Sequence, residues 1–224
     1  MYQKVKLTKR QIKEDKFTTF MLRSRTWLLE NWQLVVIGVA AAALIIVASV
    51  YYTQSRTAKA DEATTKFARA LLDFRGGNNQ VAIMGFTQIV DDYSGAEAAE
   101  QATFLLGKVN YRIRNYDEAI RFYEMYVDQY RDDVLTRAAA WAGLGACYED
   151  QGDYSEAAEN YRRAFDEYPD GPLGGDYLNS AMRNYLEIGE TEKARSGLDT
   201  IKARFEGTEL ARRAMRKFVE KNPG

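Results

Sequence analysis

The pattern of apolar and polar positions divides the chain at one uncharged stretch near its beginning. Residues 34–52 read LVVIGVAAAALIIVASVYY, 19 residues without a charged side chain. At 1.5 Å per residue, a helix of this length nearly spans a hydrocarbon core of about 30 Å. Trp32 before the stretch and Tyr51 and Tyr52 at its end have the positions of interfacial aromatic anchors. The pattern therefore predicts a transmembrane helix over residues 34–52.

Two other interpretations of this stretch fit its pattern less well. A buried helix of a soluble core rarely lacks any polar face over such a length. Val47-Ala48-Ser49 loosely resembles a signal-peptide cleavage site. A cleaved signal peptide, however, has few residues before its apolar part, and here 33 residues precede it. An uncleaved membrane anchor is the better interpretation.

Charge is distributed unevenly on the two sides of this stretch. Residues 1–33 contain eight basic and three acidic residues, a net charge of +5, whereas the rest of the chain contains 23 basic and 29 acidic residues, a net charge of −6. The basic residues of the first segment are Lys4, Lys6, Lys9, Arg10, Lys13, Lys16, Arg23 and Arg25. Because positive charge stays on the cytoplasmic side, we expect a cytoplasmic N-terminus and an extracytoplasmic domain over residues 53–224.

Within residues 1–33, apolar residues recur at helical spacing with basic residues between them. They are Phe17, Phe20, Met21, Trp27 and Leu28. This spacing predicts an amphipathic helix in the basic cytoplasmic segment. Two roles remain open for it: lying along an anionic lipid leaflet, or contacting a cytoplasmic or membrane partner.

A pattern with a period of 37–38 residues covers the chain beyond the predicted span. Its anchors are Ala82, Ala119, Ala157 and Ala194, at intervals of 37, 38 and 37 residues. Four residues after the anchors stand Phe86, Tyr123, Tyr161 and Leu198, and eleven after them Tyr93, Tyr130, Tyr168 and Phe205. Twelve residues before the anchors stand Ala70, Gly107, Gly145 and Met182. Agreement of these columns indicates an internally repeated structure.

The columns have the physical logic of paired antiparallel helices. Small anchors allow two helix backbones to approach closely, and the large residue one turn later fills the space between successive pairs. Gly152 in DQGDY and Gly189 in EIGET end the first helix of their pairs. A single pair buries too little apolar area, so neighbouring pairs must stack into a solenoid. Residues 208–221 begin at Thr208, a candidate N-cap, and predict a capping helix; binding of anionic partners by its five basic residues is the alternative.

The third copy resembles the tetratricopeptide repeat (TPR) pattern W-x2-L-G-x2-Y…A-x3-F…P. The matching residues are Trp141, Leu144, Gly145, Tyr148, Gly152, Tyr154, Ala157, Tyr161, Ala164 and Pro169. The resemblance implies an all-α fold, with one N-terminal transmembrane helix followed by a TPR-type α-α solenoid of about four repeats and a C-terminal capping helix. Units start near Ala63, Glu100, Ala138 and Gly175. The period exceeds the usual 34 residues, which implies lengthened helices or loops.

Composition argues against catalysis. The chain has no histidine and one cysteine, Cys147, so it lacks the usual general base, any intrachain disulfide and any cysteine-based zinc site. The acidic pairs Asp91–Asp92 and Asp132–Asp133 fall at predicted loop edges, where solvated turn residues are expected, and GPLGG lies between helix pairs. Net charge of −1 disfavours nucleic acid. We predict no enzyme, no catalytic residue, no metal, no cofactor, no small-molecule substrate and no nucleic-acid partner.

The TPR resemblance implies a binding groove lined by the first helix of each unit, at its second, fifth, ninth and twelfth positions. The candidate groove residues are Phe67, Leu71, Phe74, Phe104, Lys108, Tyr111, Glu149, Asn179, Arg183 and Leu186. Such a mixed face fits an extended polypeptide or a helix. As an alternative, Phe67 and Phe74 pack inside the solenoid or on the membrane-proximal linker. The basic carboxylate clamp of chaperone-tail-binding TPR domains is absent from these positions.

The order of a basic tail, one span and a TPR domain resembles the ancillary SecYEG translocon subunit family of bacterial inner membranes. The likeness includes ENWQLVVIGV and YYTQSRTAKADEATTKFARAL. It implies a single-pass inner-membrane protein with a periplasmic TPR domain that acts as a chaperone-like partner of translocated chains. The alternative is a structural scaffold that bridges subunits of a membrane or envelope complex. Expected partners are the lipid bilayer and other proteins: translocon subunits, translocated polypeptides or membrane-complex subunits.

Overall fold

Every secondary-structure element in the described part of the chain is an α-helix. The computed structural model describes residues 9–222, with side chains from residue 17, so the predicted basic residues Lys4 and Lys6 and the side chains of Lys9, Arg10, Lys13 and Lys16 lie outside the described residues. The helices are α1 (Lys9–Glu30), α2 (Trp32–Arg75), α3 (Asn79–Asp92), α4 (Glu97–Arg112), α5 (Tyr116–Gln129), α6 (Val134–Gln151), α7 (Tyr154–Glu167), α8 (Gly174–Glu187), α9 (Thr191–Arg204) and α10 (Glu209–Lys221).

The chain divides into two compact units at Thr57 and Ala58. The first unit contains α1 and the apolar part of α2, and backbone hydrogen bonds continue the helical pattern through Asn31 (Asn31 N to Trp27 O, 2.9 Å; Val35 N to Asn31 O, 3.1 Å). By its length and composition, α2 is able to cross a membrane. None of its most apolar part is buried in the protein. The helix does not end with the predicted span at residue 52 but continues to Arg75.

The second unit, Ala58–Gly224, is a series of helix pairs. The last turns of α2 pair with α3, and α4–α5, α6–α7 and α8–α9 follow, with α10 packed against α8 and α9. The long repeat period has two structural sources. In the second and third pairs the first helix begins before the predicted start of its unit. α4 starts three residues before Glu100, and α6 starts four residues before Ala138. Before the fourth pair, the six residues 168–173 between α7 and α8 supply the extra length.

Glycines in the first helices accommodate tyrosines of the second helices. The Tyr123 ring lies between α4 and α6, so close that a Cβ on Gly107 or Gly143 would approach it to 2.6 or 2.5 Å. In the same way, a Cβ on Gly145 would lie 2.8 Å from the Tyr161 ring. All four anchor alanines are fully buried (Ala82, Ala119, Ala157 and Ala194). The predicted packing of small anchors and large fillers is confirmed.

In the first and fourth pairs, the glycine at the close contact between the two helices lies on the second helix, not on the first helix as in the middle pairs. There Gly85 faces Ala70, with only 2.9 Å between the Cβ of Ala70 and a Cβ built on the glycine. Gly197 stands next to Met182, whose bulk occupies the column that glycine holds in the middle pairs. These two pairs therefore preserve the close helix contact with a reversed sequence pattern, which is why they resemble the TPR pattern less.

Arg137 joins three helices at the boundary between the second and third pairs. Its guanidinium donates to the carbonyl oxygens of Val127 and Tyr130, each at 3.1 Å, at the end of α5. Two further bonds, at 2.9 and 3.2 Å, reach the carboxylate of Glu167 at the end of α7. The two charged side chains are only 15% and 22% exposed. Arg137 thus satisfies two carbonyl groups that the helix end leaves without partners.

The last helix covers the end of the solenoid. The Thr208 hydroxyl accepts a hydrogen bond from Ala211 N (3.3 Å), which confirms the predicted N-cap. Ala211, Ala214 and Phe218 are buried against the preceding pair. The basic residues of α10 instead pair with carboxylates of Asp176, Glu187, Glu209 and Glu220. This arrangement agrees with a capping helix.

Candidate functional site

The predicted groove residues of α2 pack mainly into the solenoid. Phe74 is 9% exposed, with the Arg112 guanidinium 3.9 Å above its ring, and it lies edge-on to Phe86. Phe67 is half-buried, 5.7 Å from the same Phe86 ring, and Leu71 packs on this cluster. Phe74 is therefore a core residue that a groove ligand does not reach, because α3 and the Arg112 side chain cover it. The alternative expectation, packing within the solenoid, describes Phe67 and Phe74 better.

The α4 residues are placed at the surface to different degrees. Phe104 is half-buried, with its ring 5.8 Å from that of Tyr123 and 5.7 Å from that of Tyr126. Tyr111 is half-buried and its ring lies 5.8 Å from that of Tyr116 on α5. Lys108 stands between Phe104 and Tyr111 in sequence and is exposed. Within the described residues no carboxylate lies within 4.0 Å of its ammonium group, so α4 offers an unpaired cation flanked by aromatic edges.

A carboxylate on α6 organises the tyrosines beside Lys108. The Tyr116 hydroxyl donates to Asp150 at 3.1 Å. Burial, together with the neighbouring Asp150 carboxylate, raises the pKa of Tyr111 to about 12. Both phenols are therefore protonated at neutral pH and act as hydrogen-bond donors. Asp150 was not among the predicted groove residues. Its role depends on a contact with Tyr116, which lies 34 residues earlier in the sequence.

The α6 and α8 residues form an ion pair between two successive first helices. Arg183 Nη2 lies 2.9 Å from Glu149 Oε1, and both side chains are partly exposed. Burial and the adjacent Glu149 carboxylate raise the pKa of Tyr161. Asn179 and Leu186 are half-buried on α8, and Leu186 packs against the third and fourth pairs. The structure thus brings Glu149 and Arg183 into direct contact.

Small side chains lie between the aromatic residues of α4 and this ion pair. Ala139, Ala142 and Ala146 are half-buried along α6. In solenoids the repeated first helices form an extended binding surface. We name the surface of α4, α6 and α8 that contains Lys108, Tyr111, Glu149, Arg183 and Asn179 the inner face. It offers hydrogen-bond donors, a short stretch with little side-chain bulk and, within the described residues, the Lys108 cation without a carboxylate partner.

Other chemically notable side chains have structural explanations. The Asp133 carboxylate caps α6, accepting from Leu135 N at 3.0 Å and Thr136 N at 3.1 Å. Cys147 is fully buried, and burial raises the pKa of its thiol to about 12. Burial agrees with the expected inert filler. Among the side chains described, those of residues 17–222, no three acidic or cysteine groups come together in a way that could hold a metal ion.

The sequence matches the family described as tetratricopeptide repeat-like domain over residues 25–168. The chain belongs to this family. The matched segment includes the apolar part of α2 as well as the first three helix pairs. A search of curated proteins found no match.

Solved structures show the same helical-repeat fold. The MamA protein matches with a TM-score of 0.53 and 18% identity, over 72% of this chain and 92% of that chain. TPR-like repeats described as a kinesin light chain of Podospora anserina match with a TM-score of 0.55 and 15% identity, over 72% and 86% of the two chains. The Cut9–Hcn1 hetero-tetramer of the APC/C matches with a TM-score of 0.53 and 15% identity, over 70% of this chain and 30% of that chain. At such identities the likeness shows the TPR fold alone, and that fold is a protein-interaction module.

Proposed function

We propose that this chain is a membrane-anchored TPR module that assists protein translocation at the bacterial inner membrane. One observation carries the proposal: a helix able to cross a membrane and a TPR solenoid occur in the same family match, residues 25–168. A single span with a protein-binding domain is the architecture of a membrane-tethered adaptor. The resemblance to the ancillary SecYEG translocon subunits supports this more specific role.

The distribution of charge supports an orientation for the anchor. Residues 1–33 have a net charge of +5 and the remaining residues −6. The N-terminal segment would remain in the cytoplasm because basic residues near a span resist translocation. The TPR domain would then lie in the periplasm, where translocated chains emerge.

The inner face is the proposed binding surface for these chains. Lys108 would pair with a carboxylate of the bound polypeptide, and the Asn179 side-chain amide has donors to offer to its backbone carbonyls, whereas the Tyr116 hydroxyl is already bonded to Asp150. The half-buried alanines of α6 let a ligand backbone approach the helix closely. Binding would therefore combine electrostatic attraction with main-chain hydrogen bonds, as in other modes of peptide recognition.

A pull-down from membranes in mild detergent, followed by mass spectrometry, tests the role. We expect the full-length protein to retain translocon subunits, and their absence would refute the translocation assignment. Lys108→Glu should reduce the retained partners, because it reverses the free cation of the inner face. Lys202→Glu is the matched control, since Lys202 is an exposed lysine on α9. Equal losses from both variants would show that overall charge, not the inner face, determines binding.

A scaffold that joins fixed subunits is a second candidate, and the aromatic packing favours it. A chaperone for unfolded clients needs exposed apolar surface, yet Phe74 is buried and Phe67 and Phe104 pack against other rings. Suppression of aggregation of unrelated unfolded proteins distinguishes the two. A chaperone suppresses aggregation, whereas a scaffold lacks this activity and co-purifies with its partners in a fixed ratio.

A further inference from the structure

Helix α1 carries a large apolar surface that no described residue of the protein covers. Every large apolar side chain from residue 17 to residue 29 is more than half exposed: Phe17, Phe20, Met21, Leu22, Trp27, Leu28 and Leu29. Soluble proteins rarely leave so many neighbouring apolar side chains in water, and such patches mark interaction sites. The surface lies outside the predicted span, so the anchor alone does not explain it.

These side chains cover one broad side of the helix. At about 100° per residue, Phe17, Phe20, Met21, Trp27 and Leu28 fall within an arc of about 120°. Leu22 and Leu29 widen the arc to about 220°. The opposite side is a narrow polar stripe formed by Thr19, Arg23, Thr26 and Glu30. The apolar spacing expected of an amphipathic helix recurs in residues 17–30 on a wider side than the five predicted residues indicate, and Ser24 and Arg25 also fall on that side.

Arg25 and Arg23 bring positive charge to two different sides of this helix. Arg25 falls between Met21 and Leu29 on the wide side, and Arg23 belongs to the polar stripe. Both have long side chains whose aliphatic part can lie along apolar surroundings while the guanidinium reaches a polar layer. Anionic headgroups complement these cations and the net charge of +5 of residues 1–33.

The apolar surface continues toward the span. α1 and α2 are separate helices with Asn31 between them, and Trp27 lies five residues before Trp32. A placement of α1 along the leaflet requires the chain to turn at Asn31. Both tryptophans are more than half exposed, and tryptophan favours the level of the headgroups. A leaflet that holds α2 is therefore within reach of α1 without any additional partner.

We propose that α1 binds the anionic cytoplasmic leaflet, with its apolar side at the boundary between headgroups and acyl chains and the Thr19–Glu30 stripe toward water. This inference rests on the proposed membrane anchoring. A helix at that depth buries its apolar side in lipid while its polar stripe remains hydrated. The binding would hold the cytoplasmic segment against the membrane next to the span.

Spin labels on single cysteines of the full-length chain in nanodiscs test the geometry. The labelled positions are Met21→Cys on the apolar side, Thr26→Cys on the polar stripe and Leu44→Cys within the span. Cys147 can remain because it is buried, and the unsubstituted protein serves as the blank. Accessibility to oxygen reports lipid exposure, and accessibility to a water-soluble nickel complex reports water exposure.

We expect the Leu44 and Met21 labels to be accessible to oxygen and the Thr26 label to nickel. Equal nickel access at Met21 and Thr26, with Leu44 in lipid, would overturn the inference and leave the anchoring intact. A Met21 label closed to both reagents would also overturn it, since a protein partner would then cover the surface. Nickel access at Leu44 would overturn the anchoring itself, and the inference with it.

A second measurement tests the choice of lipid. Nanodiscs of zwitterionic phospholipid are compared with nanodiscs that also contain anionic phospholipid. We expect the lipid-exposed fraction of the Met21 label to be larger with anionic lipid, and Arg23→Glu with Arg25→Glu to remove the difference. A basic residue near such a surface changes the binding equilibrium by about fivefold. The same fraction in both lipids would overturn the assignment to an anionic leaflet.

Discussion

Replacing Arg137 tests whether one side chain holds the second and third helix pairs together. In Arg137→Ala, the carboxylate of Glu167 loses its partner, and the carbonyls of Val127 and Tyr130 lose theirs. Removing one member of a buried pair costs about 3–5 kcal/mol, and a lost bond to a charged group about 1.5–3 kcal/mol. Because the pair is 15% and 22% exposed, water can partly rehydrate these groups. We expect the free energy of unfolding to fall by about 2–3 kcal/mol.

Urea unfolding of the full-length protein in detergent, followed by the fluorescence of Trp141, measures this change. Trp141 lies one turn after Arg137 on α6, whereas Trp27 and Trp32 lie outside the solenoid. Arg121→Ala is the control, since Arg121 and Glu118 form an exposed pair (53% and 44%) whose loss costs about 0.2–1 kcal/mol, with a contact of Arg121 on the Phe122 ring lost as well. Adding Glu167→Gln to Arg137→Ala should recover part of the loss, because it removes the unpaired charge. Equal stability of Arg137→Ala and Arg121→Ala would refute the argument.

Three further predictions concern single sites in the solenoid. Gly143→Val should destabilise the protein by about 1–3 kcal/mol in the same urea assay, because its side chain enters the Tyr123 ring; unchanged stability would contradict that packing. Cys147 should react with a thiol reagent only in denaturant, since it is buried and its pKa is raised to about 12; rapid reaction of the folded protein would disprove its burial. The Thr136 side chain and the backbone amides of α6 lower the pKa of Asp133, so its contribution to stability is full above the unfolded-state value of about 4 and is lost as pH falls below it. Asp133→Asn should therefore flatten the acid limb of a stability–pH curve, and a curve unchanged from that of the unsubstituted protein would oppose this.

Helix pairing was predictable from sequence because it leaves a strict spacing. Ala119 and Ala157 must be small and Tyr123 and Tyr161 large wherever pairs stack, so the columns repeat whatever the chain binds. Helix ends were less predictable. The extra turn of α6 and the long α7–α8 connection both lengthen the repeat period, so the period does not show which of the two is present.

The inner face was only partly predictable, because a position in a repeat does not determine exposure. Phe74 and Tyr111 hold equivalent positions in their units, yet Phe74 is covered by Arg112 and Tyr111 is half open. The bonds made by Arg112 and Arg137 join groups up to 38 residues apart in sequence. Nothing in the local pattern indicates such contacts, so they appear only when the pairs are stacked.

The position of Tyr123 between Gly107 and Gly143 has a consequence for how this array could gain or lose units. The tyrosine belongs to the second unit, but one of the two glycines that accept it belongs to the third. Deleting residues 138–174 as a cassette would bring Ser180 to the place of Gly143, and its side chain would collide with the ring. A segment that can be deleted or inserted without a compensating substitution must therefore span the junction between two repeats. Its boundaries differ from those of the sequence period.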